Sequence, residues 1–369
     1  MKKNIPDAMQ KLSTQLPELL KAYSVPGVSI AVFTNETHHS CFAGCISSES
    51  DKNVDHTSLF HACSMSKLVT SLMVLKLVEQ GRLELDTPVN QYLKNYSLDY
   101  HPELACSGLK ADVTLANLLN HSAGLTDHCD GFGPLVEGDT APDIDDILSG
   151  QTRYNPEKVV VSSEVGARFC YSDAGYCVIE KVLSDMTGLS FKALAKELIF
   201  DPLSLTLSCF DYSYVFNQVQ IDNACDDVSN VAVGHDKTGK VIAQKRATYP
   251  YLASAGLWTT SHELNQIMVA LSQGLIGYGR LGISSTLLKR MINPEGPETW
   301  SGLGVFVQKD EKQTLIFSMG WGVGFQCKLV SDLTENKHIV VLTNSDPGCD
   351  QDNALTGKLI QLIKKEVSF

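Results

Sequence analysis

Ser64-Met65-Ser66-Lys67 is the stretch of this chain whose residue types and spacing could do covalent chemistry. It lies between a short apolar run, Leu59 to Cys63, and a long apolar pattern, Leu68 to Leu77, that reads as a helix. A serine in the first turn of a helix and a lysine three residues on share one face. The helix N-terminus adds unpaired N–H groups and the positive end of the macrodipole. A nucleophile, a base and part of an oxyanion-stabilising pocket therefore fall within one tetrapeptide. The base matters because a serine hydroxyl is inert until a neighbour takes its proton.

The tetrapeptide fixes only two positions. A second match, Ser107-Gly108-Leu109-Lys110, sits in a glycine-containing, non-periodic stretch and reads as chance. For Ser64 the bland alternative is a helix-capping serine followed by a solvated lysine. The surrounding elements have to decide between the two.

Residues 8–22 carry helical spacing through Met9, Leu12, Leu16, Leu19 and Leu20. Pro26-Gly27 punctuates, Val28 to Phe33 reads as a buried strand, and His39 to Ile46 as its hairpin partner. The Ser64 helix ends near Gly81. Up to about residue 200 the patterns are helical or irregular, with short helices at Val113 to Asn120 and Asp143 to Leu148. Longer ones follow at Tyr176 to Met186 and Phe191 to Phe200. Val231 to Gly234 and Val241 to Gln244 read as a hairpin around Lys237-Thr238-Gly239. His262 to Gln273 is helical. Gly302 to Gln308, Thr314 to Ser318, Gly324 to Val330 and Ile339 to Asn344 read as successive strands, and Asn353 to Lys365 as a closing helix. The fold class is α/β (α+β). An antiparallel sheet flanked by helices is built from residues 1–60 and 230–369, and a mainly helical domain, 61–229, is inserted between them. The active site would occupy the crevice between the two.

At 369 residues the chain suggests one large or two smaller domains. Its net charge of −12 and scattered Lys and Arg argue against nucleic-acid and anionic-membrane partners. Two N-terminal lysines mimic an export signal, but Gln10, Lys11, Gln15 and Glu18 interrupt any apolar segment, so a cytoplasmic location is expected. The cysteine count is 11, an odd number without a CxxC pair, which fits free thiols in a reducing compartment. No metal or cofactor is expected. His128-Cys129-Asp130 is the best metal-like cluster, but three adjacent side chains do not easily face one ion, and a polar loop is the expectation.

Two further segments bear polar groups that could reach Ser64. Tyr171-Ser172-Asp173 precedes an apolar helix, where a loop tyrosine can meet the Ser64 helix at a crevice; the alternative is a packed surface tyrosine. Ser318-Met319-Gly320-Trp321-Gly322-Val323-Gly324 carries three glycines around a strand, which suggests close backbone approach, or else a bulge.

In these segments the chain resembles the serine β-lactamase and penicillin-binding-protein superfamily, above all its branch of class C β-lactamases, D-amino-acid peptidases, carboxylesterases and related acyltransferases. Val25-Pro26-Gly27-Val28-Ser29-Ile30-Ala31-Val32 looks like that family's first strand, and Ser64-Met65-Ser66-Lys67 matches its nucleophile motif. Gly81 to Asp86 resembles its next helix exit, and Leu118 to Leu125 its "LLxHxSGL" signature. Ala255 to Thr260 also matches a common segment. Tyr171-Ser172-Asp173 falls where the family has Tyr-x-Asn, and Ser318-Met319-Gly320 where it has Lys-Thr-Gly or His-x-Gly. Lys237-Thr238-Gly239 matches that last triplet by letters but sits in a polar hairpin tip and is set aside.

The resemblance implies a β-lactamase/transpeptidase-like fold with Ser64 as the acylated nucleophile. Lys67 and Tyr171 would share proton transfer, the N–H groups of Ser64 and Trp321 would form the oxyanion hole, and Asp173, Ser318 and Gly320 would line the substrate site. The implied activity is serine hydrolysis of ester, amide or β-lactam-like bonds in small molecules. The alternatives are acyl transfer on the same fold and a weakened, non-enzymatic member. Oligomeric state is not readable. Two departures stand out. Asp173 replaces the usual Asn, and a carboxylate beside Lys67 favours the charged lysine, weakening it as a base and leaving more to Tyr171. Ser318 removes the Lys or His that would polarise Tyr171 and hold a substrate carboxylate. A neutral ester or acyl substrate is expected.

Overall fold

A helix, α1 (Ile5–Ala22), opens the chain and buries Leu12, Leu16 and Leu20 along one stripe, as helical spacing dictates. The structure, a computed structural model, describes residues 5–106, 111–136, 138–210, 230–247, 249–367 and 369. The second Ser-x-x-Lys match at 107–110 and most of the loop 211–230 lie outside the described residues. After α1 come β1 (Gly27–Thr34) and β2 (Thr37–Gly44), an antiparallel hairpin. Four strands close the sheet from the other end of the chain: β3 (Phe306–Lys309), β4 (Thr314–Gly322), β5 (Phe325–Asp332) and β6 (Lys337–Thr343). Their spatial order is β2-β1-β6-β5-β4-β3, every neighbour antiparallel.

Every residue of β1 and β5 is buried, because helices cover both faces of the sheet. On one face, Leu16 and Leu20 of α1 and Leu359 and Ile363 of a closing helix pack on Val28, Ile30 and Val341. On the other lies the larger core, including a helix at Ser261–Leu275 whose Asn265 amide donates to the carbonyl of His338 in β6 at 3.2 Å. Each fully buried Leu, Ile or Val contributes about 1.5–3 kcal/mol.

Between the sheet segments runs α2 (Ser66–Glu79), preceded by a 3-10 turn at Cys63–Met65. Its run from Leu68 to Leu75 is buried on all sides, which is why the sequence there is apolar rather than amphipathic. Three hydroxyls fix it to its surroundings. Ser66 Oγ donates to the Cys63 carbonyl at 2.6 Å, Thr70 Oγ1 to Ala253 at 2.7 Å and Ser71 Oγ to Leu303 at 2.7 Å. A third helix, α3 (Asp173–Thr187), begins at a Ser172 cap whose hydroxyl accepts from the Gly175 N–H and ends at Gly188 in the left-handed region.

Three readings need correction. Ser64 lies in the 3-10 turn, not in the first turn of α2, because Cys63 takes a left-handed φ of 48° and the chain turns once more before the helix starts. The segment 231–244 is not a regular hairpin. Its two halves do pair about a tight Asp236–Lys240 turn, through an antiparallel bridge of His235 with Val241, but Val231 leaves the pairing and bridges in parallel to Leu59. Gly302 and Gly304 stand outside β3, with Gly304 at φ 76°. A helix at Ser285–Met291, capped by Ser284, was not anticipated.

Candidate active site

The 3-10 turn carries Ser64 into a cleft that Lys67, His121, Tyr171 and Ser318 also line. Three elements meet there: the turn and first residues of α2, the loop into α3, and β4. The chain enters the turn from a short strand, Phe60–His61, paired with Leu257–Thr259. The left-handed Cys63 then reverses it sharply, a strain of the kind that persists where packing over-determines the backbone.

Contact with β4 is made through glycine. A Cβ on Gly320 would collide with the Ala62 carbonyl oxygen, and one on Gly322 would sit 3.1 Å from Cys63 Sγ. Glycine therefore lets β4 lie against the two residues before Ser64. On its outer edge β4 pairs with β3 only from Thr314 to Phe317, so Ser318 to Gly322 run past the end of that partner. The Trp321 indole points outward, 44% exposed, and donates to Asp346 Oδ1 at 2.7 Å.

Lys67 is the electrostatic centre. Its buried Nζ lies 2.6 Å from Asp173 Oδ1, 2.9 Å from Ser254 Oγ, 3.1 Å from the Ser254 carbonyl and 3.3 Å from Ser64 Oγ. Burial opposes the charge, but Asp173 and then Tyr171 outweigh it and hold Lys67 well above the ordinary lysine range. Burial also pushes Asp173 up, and the Lys67 charge with hydrogen bonds from Lys67 and Ser254 brings it below the usual carboxylate range. The pair is therefore ionised. An ammonium has three protons, and Asp173 and Ser254 offer the shortest acceptors, so Ser64 receives the longest contact.

Tyr171 is 39% exposed as a residue, yet it lines the cleft with Lys67 and Ser64, and both of those side chains act to lower its pKa. Burial raises its pKa most; the Lys67 charge opposes this, Asp173 adds to it, and the net is upward. The ammonium also lies over the ring, 4.8 Å from its centroid. His121 stacks on Tyr171 with centroids 4.4 Å apart. Burial and the Lys67 charge lower this imidazole to about 3, so it is neutral. Its Nδ1 accepts the Ser172 N–H at 3.2 Å, which puts the ring proton on Nε2.

Asp127 secures the entry to α3. Its carboxylate accepts from Ser172 Oγ at 2.8 Å, the Asp173 N–H at 2.7 Å and the Ala174 N–H at 3.0 Å. Deeper in, the buried Glu180 accepts the Ala253 N–H at 2.8 Å and holds the short helix Leu252–Ala255 that carries Ser254. Burial raises Glu180 to about 8 against the pull of the Ala253 and Leu252 N–H groups.

The site thus brings Ser64, Lys67, Tyr171 and Ser318 to one cleft, with Asp173 behind Lys67 and Gly320 and Trp321 on the adjoining strand. A hydroxyl, an amine and a phenol gathered in one cleft are the groups a serine nucleophile requires to lose and regain its proton. The 237–239 triplet forms a turn, its first two residues exposed. His128, Cys129 and Asp130 do converge, their ligand atoms within 4.8 Å of one another, contrary to the expectation that consecutive side chains diverge. His128 Nδ1 already accepts the Asp130 N–H at 3.1 Å, and Cys129 and Asp130 are exposed.

A family model described as Beta-lactamase matches residues 9–361. The chain belongs to the Beta-lactamase family. It has the β-lactamase/transpeptidase fold: the D-amino acid amidase of Ochrobactrum anthropi superposes with a TM-score of 0.77 at 17% identity, over 98% of each chain. D-alanine carboxypeptidase AmpC of Burkholderia cenocepacia superposes with a TM-score of 0.70 at 20% identity, over 99% of each. Among curated relatives, the unguisins hydrolase ungD of Aspergillus violaceofuscus is 26% identical over 193 residues, 51% of this chain and 32% of that protein. Protein flp of Staphylococcus aureus strain MW2 is 22% identical over 352 residues, 92% of this chain and 63% of that protein. The chain spans about one third to two thirds of the length of these two relatives.

In this Beta-lactamase family member, Ser254, Asp127 and Glu180 escaped the sequence reading. Ser254 meets Lys67 across 187 residues of chain, Asp127 meets Asp173 across 46 and Glu180 meets Ala253 across 73, and no local pattern marks such contacts. Ser254 had one available signal, since it immediately precedes the Ala255 to Thr260 segment.

Proposed function

We propose that this Beta-lactamase family member is a serine hydrolase that forms an acyl-enzyme on ester or amide bonds of small molecules. The observation that carries the reading is the Lys67 amine 3.3 Å from the Ser64 hydroxyl, in a cleft that Tyr171 also lines with its ring centroid 4.8 Å from the same amine. In the reactive form one proton has left the Lys67–Tyr171 pair. Ser64 Oγ attacks the carbonyl carbon as its proton passes to that pair, and the tetrahedral oxyanion is held by the N–H groups of Ser64 and Trp321. Collapse expels the alcohol or amine, which takes the proton back. Water then repeats the sequence on the acyl-enzyme, freeing the acid and restoring Ser64. Each oxyanion donor is worth about 3–4 kcal/mol. Asp173 orients Lys67, and Ser318 and Gly320 line the substrate side without a cation. That fits an uncharged substrate. The site then lies in the crevice between the segments 1–60 with 230–369 and the helical insert 61–229. Reduced, free cysteines fit a cytoplasmic location; the ten described cysteines are free.

A fluorophosphonate probe tests this. The folded wild-type chain is expected to gain one adduct mass and the Ser64→Ala variant none; a folded wild type that stays unlabelled contradicts the reading. The Lys67–Asp173 ion pair favours a second reading, a weakened member that binds without turnover. Under it, Asp173→Asn combined with Ser318→His leaves esterase activity at background.

A further inference from the structure

The Ser64 cleft is lined by the rings of His121, Tyr171, Phe306 and Phe317, and two further rings, Phe169 and Trp300, pack against them. His121 stacks on Tyr171 at 4.4 Å and meets Phe169 edge-on at 5.4 Å. Phe169 packs on Trp300 with centroids 4.6 Å apart, and Trp300 on Phe306 at 5.8 Å. The five rings form one unbroken chain of contacts that begins at Tyr171 and ends at Phe306, both of which line the cleft. Phe306 lines the cleft with Ser64 and Tyr171, and Trp300, packed on Phe306, leaves 41% of its surface to solvent. Rings held against water in this way gain free energy when another apolar group covers them.

Charge on the same cleft is scarce. Among the described residues that line it, Lys67 is the one charged side chain, and Asp173 already neutralises it. His121, at about 3, is neutral. Nothing in that lining would hold a substrate carboxylate, whereas a flat apolar group can lie on the rings and exclude water from the reacting carbonyl.

Resting on the serine-hydrolase reading, we propose that Phe169, Trp300 and Phe306 form a subsite for an uncharged aromatic substituent of the substrate. The ring sits beside the Tyr171–His121 stack, next to the bond attacked by Ser64. Stacking against ring faces favours an aromatic group over an alkyl chain of similar area, because only the former answers the quadrupole of the wall. The preference for a ring over a methyl group is roughly 10- to 100-fold, the effect of burying one apolar side-chain equivalent.

Boronic acids, which form tetrahedral adducts with a nucleophilic serine, read this on the full chain. Benzylboronic acid is expected to bind about tenfold or more tighter than methylboronic acid, and tighter than hexylboronic acid. In Trp300→Ala, and more fully in Trp300→Ala with Phe306→Ala, the benzyl-to-methyl ratio is expected to fall to about threefold or less. Thermal unfolding verifies that the variants remain folded. Equal affinities for the three acids in the wild type overturn the subsite while leaving the nucleophile intact. So does a benzyl preference that survives in the folded double variant, or a hexyl group that binds as well as benzyl. If no boronic acid binds and the fluorophosphonate adduct is also missing, the serine-hydrolase reading falls, and the subsite with it.

Discussion

An Asp173→Asn substitution keeps the size of the side chain and removes one negative charge from the centre of the site. With aspartate present, carboxylate and Lys67 ammonium lie 2.6 Å apart and cancel. Taking a proton from Lys67 or Tyr171 then leaves a net negative charge in a buried place. With asparagine the three groups start at one positive charge and become neutral when a proton leaves. A charge at hydrogen-bonding distance shifts its partner by about 1–3 pKa units, and each unit is about tenfold in the deprotonated fraction. The variant should therefore hold roughly 10- to 1000-fold more free base at neutral pH. Part of that gain should appear as rate. The expectation is a rise of about tenfold in kcat/KM for p-nitrophenyl acetate near pH 7, with the alkaline rise of the profile moved to lower pH. The assay is the kcat/KM profile between about pH 6 and 10 for wild type, Asp173→Asn and Asp173→Ala. If asparagine lowers activity as far as alanine does at every pH, the carboxylate takes part in the chemistry itself, and the charge argument is refuted.

Other expectations follow from the same geometry. Because burial raises Tyr171 and Asp173 holds Lys67 protonated, wild-type kcat/KM should climb by about tenfold per pH unit through the mildly alkaline range; a plateau reached below neutrality contradicts this. Tyr171→Phe should lower kcat by about 10²–10⁴-fold with KM little changed, measured with the same ester. Glu180 binds its proton more tightly folded, at about 8 against 4.5. Its contribution to stability is thus full below about pH 4.5 and is lost as pH rises to about 8, roughly 4–5 kcal/mol in all. Glu180→Gln should flatten the fall of Tm over that window, and an unchanged fall would count against it. Gly320→Ala should destabilise the chain by about 1–3 kcal/mol through its collision with the Ala62 carbonyl, read by urea unfolding.

The elements that could be read from sequence are those whose periodicity is local. α1 shows its stripe because one face meets the sheet, and β1 shows a continuous apolar run because helices cover both its sides. Ser64 and Lys67 are legible because one turn of chain joins them. The left-handed Cys63 is not, since a non-glycine residue in that region is imposed by packing on both sides of the turn. His235 and Val241 pair across the expected turn, but Val231 bridges to Leu59, a long-range choice that local turn chemistry cannot reveal. The ion pair of Lys67 with Asp173 was anticipated from residue types at motif positions, and it forms across 106 residues. The acceptors that complete it, on Ser254, come from a buried four-residue helix whose sequence is small and unremarkable for any role.

The most direct test of the central claim is to trap the covalent intermediate. The chain would be mixed with a slowly hydrolysed aryl ester, quenched in acid during turnover, digested and mapped by mass spectrometry. The acyl group is expected on the peptide containing Ser64, and the initial burst of aryl alcohol is expected to vanish in Ser64→Ala. Acylation confined to another residue, or a burst of undiminished size in the folded Ser64→Ala variant, would contradict the account.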